Sequence, residues 1–197
     1  MKTSILSIVF GLALCLGALA QPNLTLNGEF DSGGANWSTS AGGAYFYVDG
    51  SDSIASLGWW DGCSIWQNTG AQIQAGQSYS MTVRARVGQT PLTSVNLSFQ
   101  DVTTGWTWVV NQTFDFSSGD QGNPGPWETF TLPIDAGILG GQVGDTIGVG
   151  VQMGESPNTQ YGWIHLDSVL LTTVPEPGSG LLLCAGLLMW RFMRRRS

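Results

Sequence analysis

Basic residues are scarce in this chain, and cysteine and histidine are scarcer still. Its 197 residues include seven Lys and Arg, three Cys and one His. Lys2, Arg191, Arg194, Arg195 and Arg196 lie in the end segments, which leaves residues 21–174 with Arg84 and Arg86 against thirteen acids, a net charge of −11. Phosphate recognition needs clustered Lys and Arg, so nucleic-acid binding is excluded. Such a surface suits neutral ligands and divalent cations. Cys15 and Cys184 sit in the end segments, so Cys63 has no partner within the central domain, and no disulfide framework is expected. The fold must rest on a hydrophobic core, and a domain of this size buries roughly 70% of its unfolded-chain surface. Cys63 reads as a small buried filler rather than a reactive thiol.

Catalytic signatures are also missing. His165 stands alone, which argues against a His-rich catalytic zinc site. No G-x-S-x-G elbow supplies a nucleophile for a Ser-His-Asp arrangement. His165 is expected to hydrogen-bond at a sheet surface. The scattered acids name no particular glycosidase pair, and no motif calls for an organic cofactor.

The two ends read as targeting segments. Lys2, the apolar run Ile5 to Leu19 and Ala18-Leu19-Ala20 match a signal peptide, with cleavage expected after Ala20. Lipidation at Cys15 is a weaker alternative, because Leu14 precedes it where a small residue is preferred. At the other end, Val174-Pro175-Glu176-Pro177 is followed by thirteen uncharged residues, Gly178 to Trp190, and then by Arg191, Arg194, Arg195 and Arg196. Thirteen falls short of the ~20 residues of a full span. Snorkelling arginines would hold the C-terminus in the cytoplasm, and an ordinary membrane anchor is the plain alternative. In order and content this tail resembles the PEP-CTERM sorting tags of exported bacterial proteins. The resemblance covers residues 175–197 and implies an exosortase partner acting near Pro175-Glu176-Pro177. It also implies transient membrane anchoring through the C-terminal helix and delivery to the cell surface or exopolysaccharide matrix.

Between the ends, residues 21–174 show short alternating runs broken by Gly, Asn, Asp, Ser and Pro, with no sustained 3.6-residue period. Strands are predicted at 45–48, 79–87, 95–99, 106–116, 127–132, 146–153 and 163–172, and the alternation places Arg84 and Arg86 on a solvent face. The fold class is all-β, an antiparallel β-sandwich flanked by a signal helix and a C-terminal hydrophobic helix. Three stretches sharpen this: Asn23 to Asp31 with Trp37, Ile65 to Tyr79, and Ile164 to Leu171. They resemble the opening, central and closing strands of galactose-binding-like, carbohydrate-binding-module jelly rolls. The resemblance implies a structural Ca²⁺ held by Asp31 and Asp167, since first and last strands adjoin in that fold. Asx turns or strand caps are the alternative role for both aspartates. Asp49 and Asp52 are acids that nothing selects.

Eight of nine tryptophans lie in the domain: Trp37, Trp59, Trp60, Trp66, Trp106, Trp108, Trp127 and Trp163. A flat indole packs on the apolar face of a pyranose ring, so exposed pairs are candidate sugar platforms. Trp106 and Trp108, two apart, share a strand face by alternation, and the adjacent Trp59 and Trp60 point to opposite faces, so at most one of that pair is exposed; all four are candidate ligand-binding residues. For any single tryptophan, a place in the sandwich core is the expectation, because Trp commonly fills such cores. The expected function is that of an exported, non-enzymatic surface or matrix protein binding extracellular polysaccharide. A structural or adhesive matrix protein is the first alternative, and a glycan-active hydrolase the second.

Overall fold

The computed structural model describes residues 22–40, 43–58, 62–89, 94–117, 124–154 and 162–175. The expected signal peptide, Trp59, Trp60 and the sorting tail from Glu176 onward lie outside the described residues. The described residues form ten strands: β1 (Ser38–Thr39), β2 (Ala44–Asp49), β3 (Asp52–Gly58), β4 (Ser64–Gln72), β5 (Ser78–Gln89), β6 (Ser94–Asp101), β7 (Thr107–Asp115), β8 (Glu128–Ile134), β9 (Thr146–Met153) and β10 (Trp163–Val174). They make two five-stranded sheets in the orders β1-β4-β9-β6-β7 and β2-β3-β10-β5-β8, antiparallel at every pairing. The chain is the all-β sandwich that its alternation predicts.

Alternation decides what faces inward. Val95, Leu97 and Phe99 of β6 and Ile147, Val149 and Val151 of β9 meet Met81, Val83 and Ala85 of β5 and Ile164, Leu166 and Val169 of β10 in one buried cluster. Truncating a buried aromatic such as Phe99 to alanine would cost about 3–5 kcal/mol. Cys63 is buried and free, and its thiol donates to the Gly58 carbonyl at 3.1 Å.

The opening segment departs from expectation. It adjoins the last strand, but as a single bridge, Asn23 to Thr172, and not as a strand. The Asn23 carboxamide explains why: its Oδ1 accepts from the backbone N–H and hydroxyl of Thr25 and from the Leu171 N–H, turning the chain at once. Asn27, Phe30 and Asn36 then take positive φ, and Gln67 holds the Leu26 backbone with both ends of its amide. The loop that results places Phe30 and Trp37 in the core with ring centroids 5.6 Å apart.

Candidate functional site

The outer face of the first sheet holds a groove of about 440 Å³. Register builds its floor. One row across the sheet runs Trp66 (β4), Gly150 (β9), Ser98 (β6) and Asn111 (β7); the next holds Asn68, Gly148, Gln100 and Trp108. The two glycines of β9 matter because a side chain would fill the trough. A Cβ on Gly150 would meet Ser98 Oγ and Gln100 Nε2, and one on Gly148 would meet Val102 and the Trp106 ring. Ser98 and Gln100, on an outer face, are nonetheless 8% exposed, so the groove is deep at its floor.

Its rim is aromatic. Trp66 stands half-buried on one side, while Trp106 (36% exposed) and Trp108 (60% exposed) stand on the other. Trp106 and Trp108 do reach one site, but not by the alternation that predicted it. Phe99 pairs with Val110 and Gln100 with Trp108, so Val109 is an extra residue, a bulge that turns Trp108 onto the Gln100 face. Trp106 precedes the strand, in a turn where Gly105 and Trp106 have φ of 93° and 65°. A left-handed backbone is unfavourable for a bulky residue by about 1–2 kcal/mol, and it persists only where the surroundings enforce it.

Those surroundings are visible. The buried Asp101 carboxylate accepts from the backbone N–H groups of Thr103 (2.8 Å) and Thr104 (3.3 Å) and from the Thr104 hydroxyl (2.7 Å). Val102 N–H donates to the Thr146 carbonyl, and Thr146 N–H to the Thr103 hydroxyl, fastening the turn to β9. Burial alone would raise the Asp101 pKa, but the hydrogen bonds from Thr104, Thr103 and Asp145 outweigh it and hold the group below its ordinary value. Asp145 moves the other way, raised by desolvation and by the Asp101 charge. This carboxyl pair caps a turn and does not line the groove, whose described side chains are all uncharged.

The remaining tryptophans divide differently from expectation. Of the six described, only Trp37 joins the core. Trp127 lies on the second sheet beneath the guanidinium carbons of Arg84 (4.9 Å) and Arg86 (4.4 Å), and Trp163 packs across Gly58. Trp66, which sequence reasoning counted but did not place in the site, is the groove's far wall; the period-two pattern of β4 (Ile65, Gln67 and Thr69 buried) was the available signal. His165 sits on the outer face of the second sheet, its Nε2 3.2 Å from the Tyr47 hydroxyl. Burial first, then the Arg86 charge, lower its pKa, so it is held neutral.

Asp31 lies exposed in the opening loop, and Asp167 on β10 accepts a 2.6 Å hydrogen bond from Arg84. Among the described residues no three His, Cys, Asp or Glu side chains converge as metal ligands. A guanidinium on Asp167 occupies the carboxylate a calcium ion would need. Pro175 ends the described chain, exposed after β10, and the rest of the Pro-Glu-Pro motif and Arg194, Arg195 and Arg196 lie beyond it.

No protein-family model matches the sequence, and no curated protein does. Solved structures share the fold. A CBM4 carbohydrate-binding module is 14% identical with a TM-score of 0.51, over 74% of this chain and 99% of that one. The CBM22-2 xylan-binding domain of Paenibacillus barcinonensis Xyn10C is 13% identical with a TM-score of 0.54, over 75% and 98%. The Stig cyclase Fisc of Fischerella sp. TAU, in complex with an indole derivative, is 14% identical with a TM-score of 0.56, over 79% and 97%. At such identities the likeness establishes the sandwich and not an activity.

Proposed function

We propose that this chain is an exported, non-catalytic carbohydrate-binding protein that takes polysaccharide in the groove between Trp66 and the Trp106–Trp108 rim. One observation carries the reading: a glycine-floored trough with aromatic walls and amide and hydroxyl groups at its base. Indole faces suit the apolar faces of sugar rings, and Ser98, Gln100 and Gln152 suit their hydroxyls. The carbohydrate-binding modules of the same fold support it. Sorting through the C-terminal tag to the cell surface or matrix, with exosortase as partner, belongs to the same proposal. The test is retention of the intact chain in native gels cast with soluble polysaccharides. Retardation lost in Trp108→Ala supports the reading, and unaltered retardation removes the groove from it.

A structural or adhesive role is the second reading, favoured by β2. This strand is an edge of its sheet and exposes Tyr45, Tyr47 and Val48. Self-association measured by sedimentation without glycan would favour it. Calcium at Asp31 and Asp167 remains a proposal that requires Arg84 to leave Asp167. A melting temperature that rises with calcium and falls with chelator supports the ion by mass action; coincident melting curves dismiss it.

A further inference from the structure

The groove's charge balance narrows its ligand, an argument that rests on the carbohydrate-binding reading above. Ser64, Trp66, Ser98, Gln100, Trp108 and Gln152 line it, and none is ionised. The domain has two cations in all, Arg84 and Arg86. Both belong to the other sheet, where they bond Asp167 at 2.6 Å and Asp49 at 2.9 Å and stack on Trp127. No cation of the domain is left for a ligand, while its thirteen acids set a repulsive field for any polyanion. A carboxylate or sulfate ester drawn into the trough would lose hydration and gain no counter-charge.

The floor points the same way. Gln100 donates its Nε2–H to Ser98 Oγ at 2.7 Å, and Ser98 bonds the Gly150 carbonyl at 3.3 Å, so the amide orientation is set from below. Among the described residues nothing donates to Gln100 Oε1. An amide oxygen presented in this way accepts from a sugar hydroxyl, whereas an ionised carboxylate or sulfate placed against it offers only acceptors and is repelled. We infer that the groove selects uncharged polysaccharide and rejects uronate-bearing or sulfated chains, with charge as the reason for rejection.

The test compares one polymer in two charge states, so that linkage stays constant. Soluble neutral polysaccharides (β-glucan, xylan, galactomannan) are cast in native gels with the intact chain. The polymer that retards it best is then oxidised at its primary hydroxyls to carboxylates, or sulfated where it has none. Affinity for the anionic form should fall at least tenfold at 20 mM salt and recover in part at 500 mM, where the Debye length is a few ångström. Equal or tighter retention of the anionic form, still dependent on Trp108, would overturn the charge selectivity and leave groove binding intact. Retardation by no polymer, neutral or anionic, would instead overturn the carbohydrate reading beneath it.

Discussion

The outer faces of the two sheets are built with the same device and put to opposite use. Each packs a ring across a glycine: Trp106 over Gly148 on the first sheet, Trp163 over Gly58 and His165 over Gly88 on the second. On the second sheet the polar groups then satisfy one another. Arg86 bonds Asp49, Arg84 bonds Asp167, both guanidiniums lie on Trp127, and Tyr47 meets His165. The first sheet does the reverse, leaving the Trp108 ring 60% exposed above an uncharged trough. Aromatic content alone therefore does not mark a binding face. Aromatics left without partners, beside polar groups likewise left open, do.

Removing one tryptophan from each face should separate these roles. Trp127→Ala deletes the ring that both arginines cover, and a loss of about 2–3 kcal/mol in denaturant unfolding is expected, with polysaccharide retention unchanged in the folded protein. Trp108→Ala should act inversely. Its ring buries little, so stability should stay within about 0.5 kcal/mol, while retention weakens about 10–30-fold, as for an interface anchor. If Trp127→Ala abolished retention and left stability alone, the assignment of the two faces would have to be exchanged.

Part of this contrast was legible in the chain. Thr146–Met153 was bounded to the residue, because Thr-Ile-Gly-Val-Gly-Val-Gln-Met alternates small or polar with apolar residues between the turn-forming Gly144-Asp145 and Gly154. The solvent face of Arg84 and Arg86 followed from the same period. What escaped depended on tertiary context. The bulge at Val109 carries no signal of its own in a Trp-Val-Val-Asn run, yet it decides which way Trp108 faces. The opening strand dissolved into turns because Asn23 met Leu171, a partner 148 positions away. Arg84's hold on Asp167 was hidden for the same reason, since the aspartate's expected role came from its place in a last strand and not from what stands opposite it.

That ion pair gives a smaller perturbation. Arg84→Met keeps an unbranched side chain but removes the guanidinium from both Asp167 and the face of Trp127. The Arg84 side chain is 43% exposed and that of Asp167 19%, so solvent screens much of the attraction, and a loss of about 0.5–1 kcal/mol is expected. Retention should not change, and adding 500 mM salt to the wild type should reproduce part of the loss. A larger destabilisation that salt does not mimic would assign the effect to packing on Trp127 instead.

The smallest expected effect concerns the turn that presents Trp106. Asp101 and Asp145 share it with pKa values moved apart, the first lowered and the second raised. For Asp145 the folded value lies above the unfolded one. Its contribution is therefore fully present below the ordinary carboxyl range of about 4 and is lost as pH rises through the folded value. Asp101 is opposite: its stabilisation is present above that range and is lost as pH falls through its depressed value. Where both groups are ionised, they repel across the turn. Asp145→Asn places an amide there, which can donate to Asp101 at every pH. Its melting temperature should exceed the wild type's by about 1–3 °C at pH 7, and the gap should close on titration below about pH 4, where the wild-type Asp145 carries its own proton. A variant that melts lower than wild type at pH 7 would mean that the ionised form of Asp145 is the one the fold uses, and that repulsion from Asp101 does not destabilise the turn.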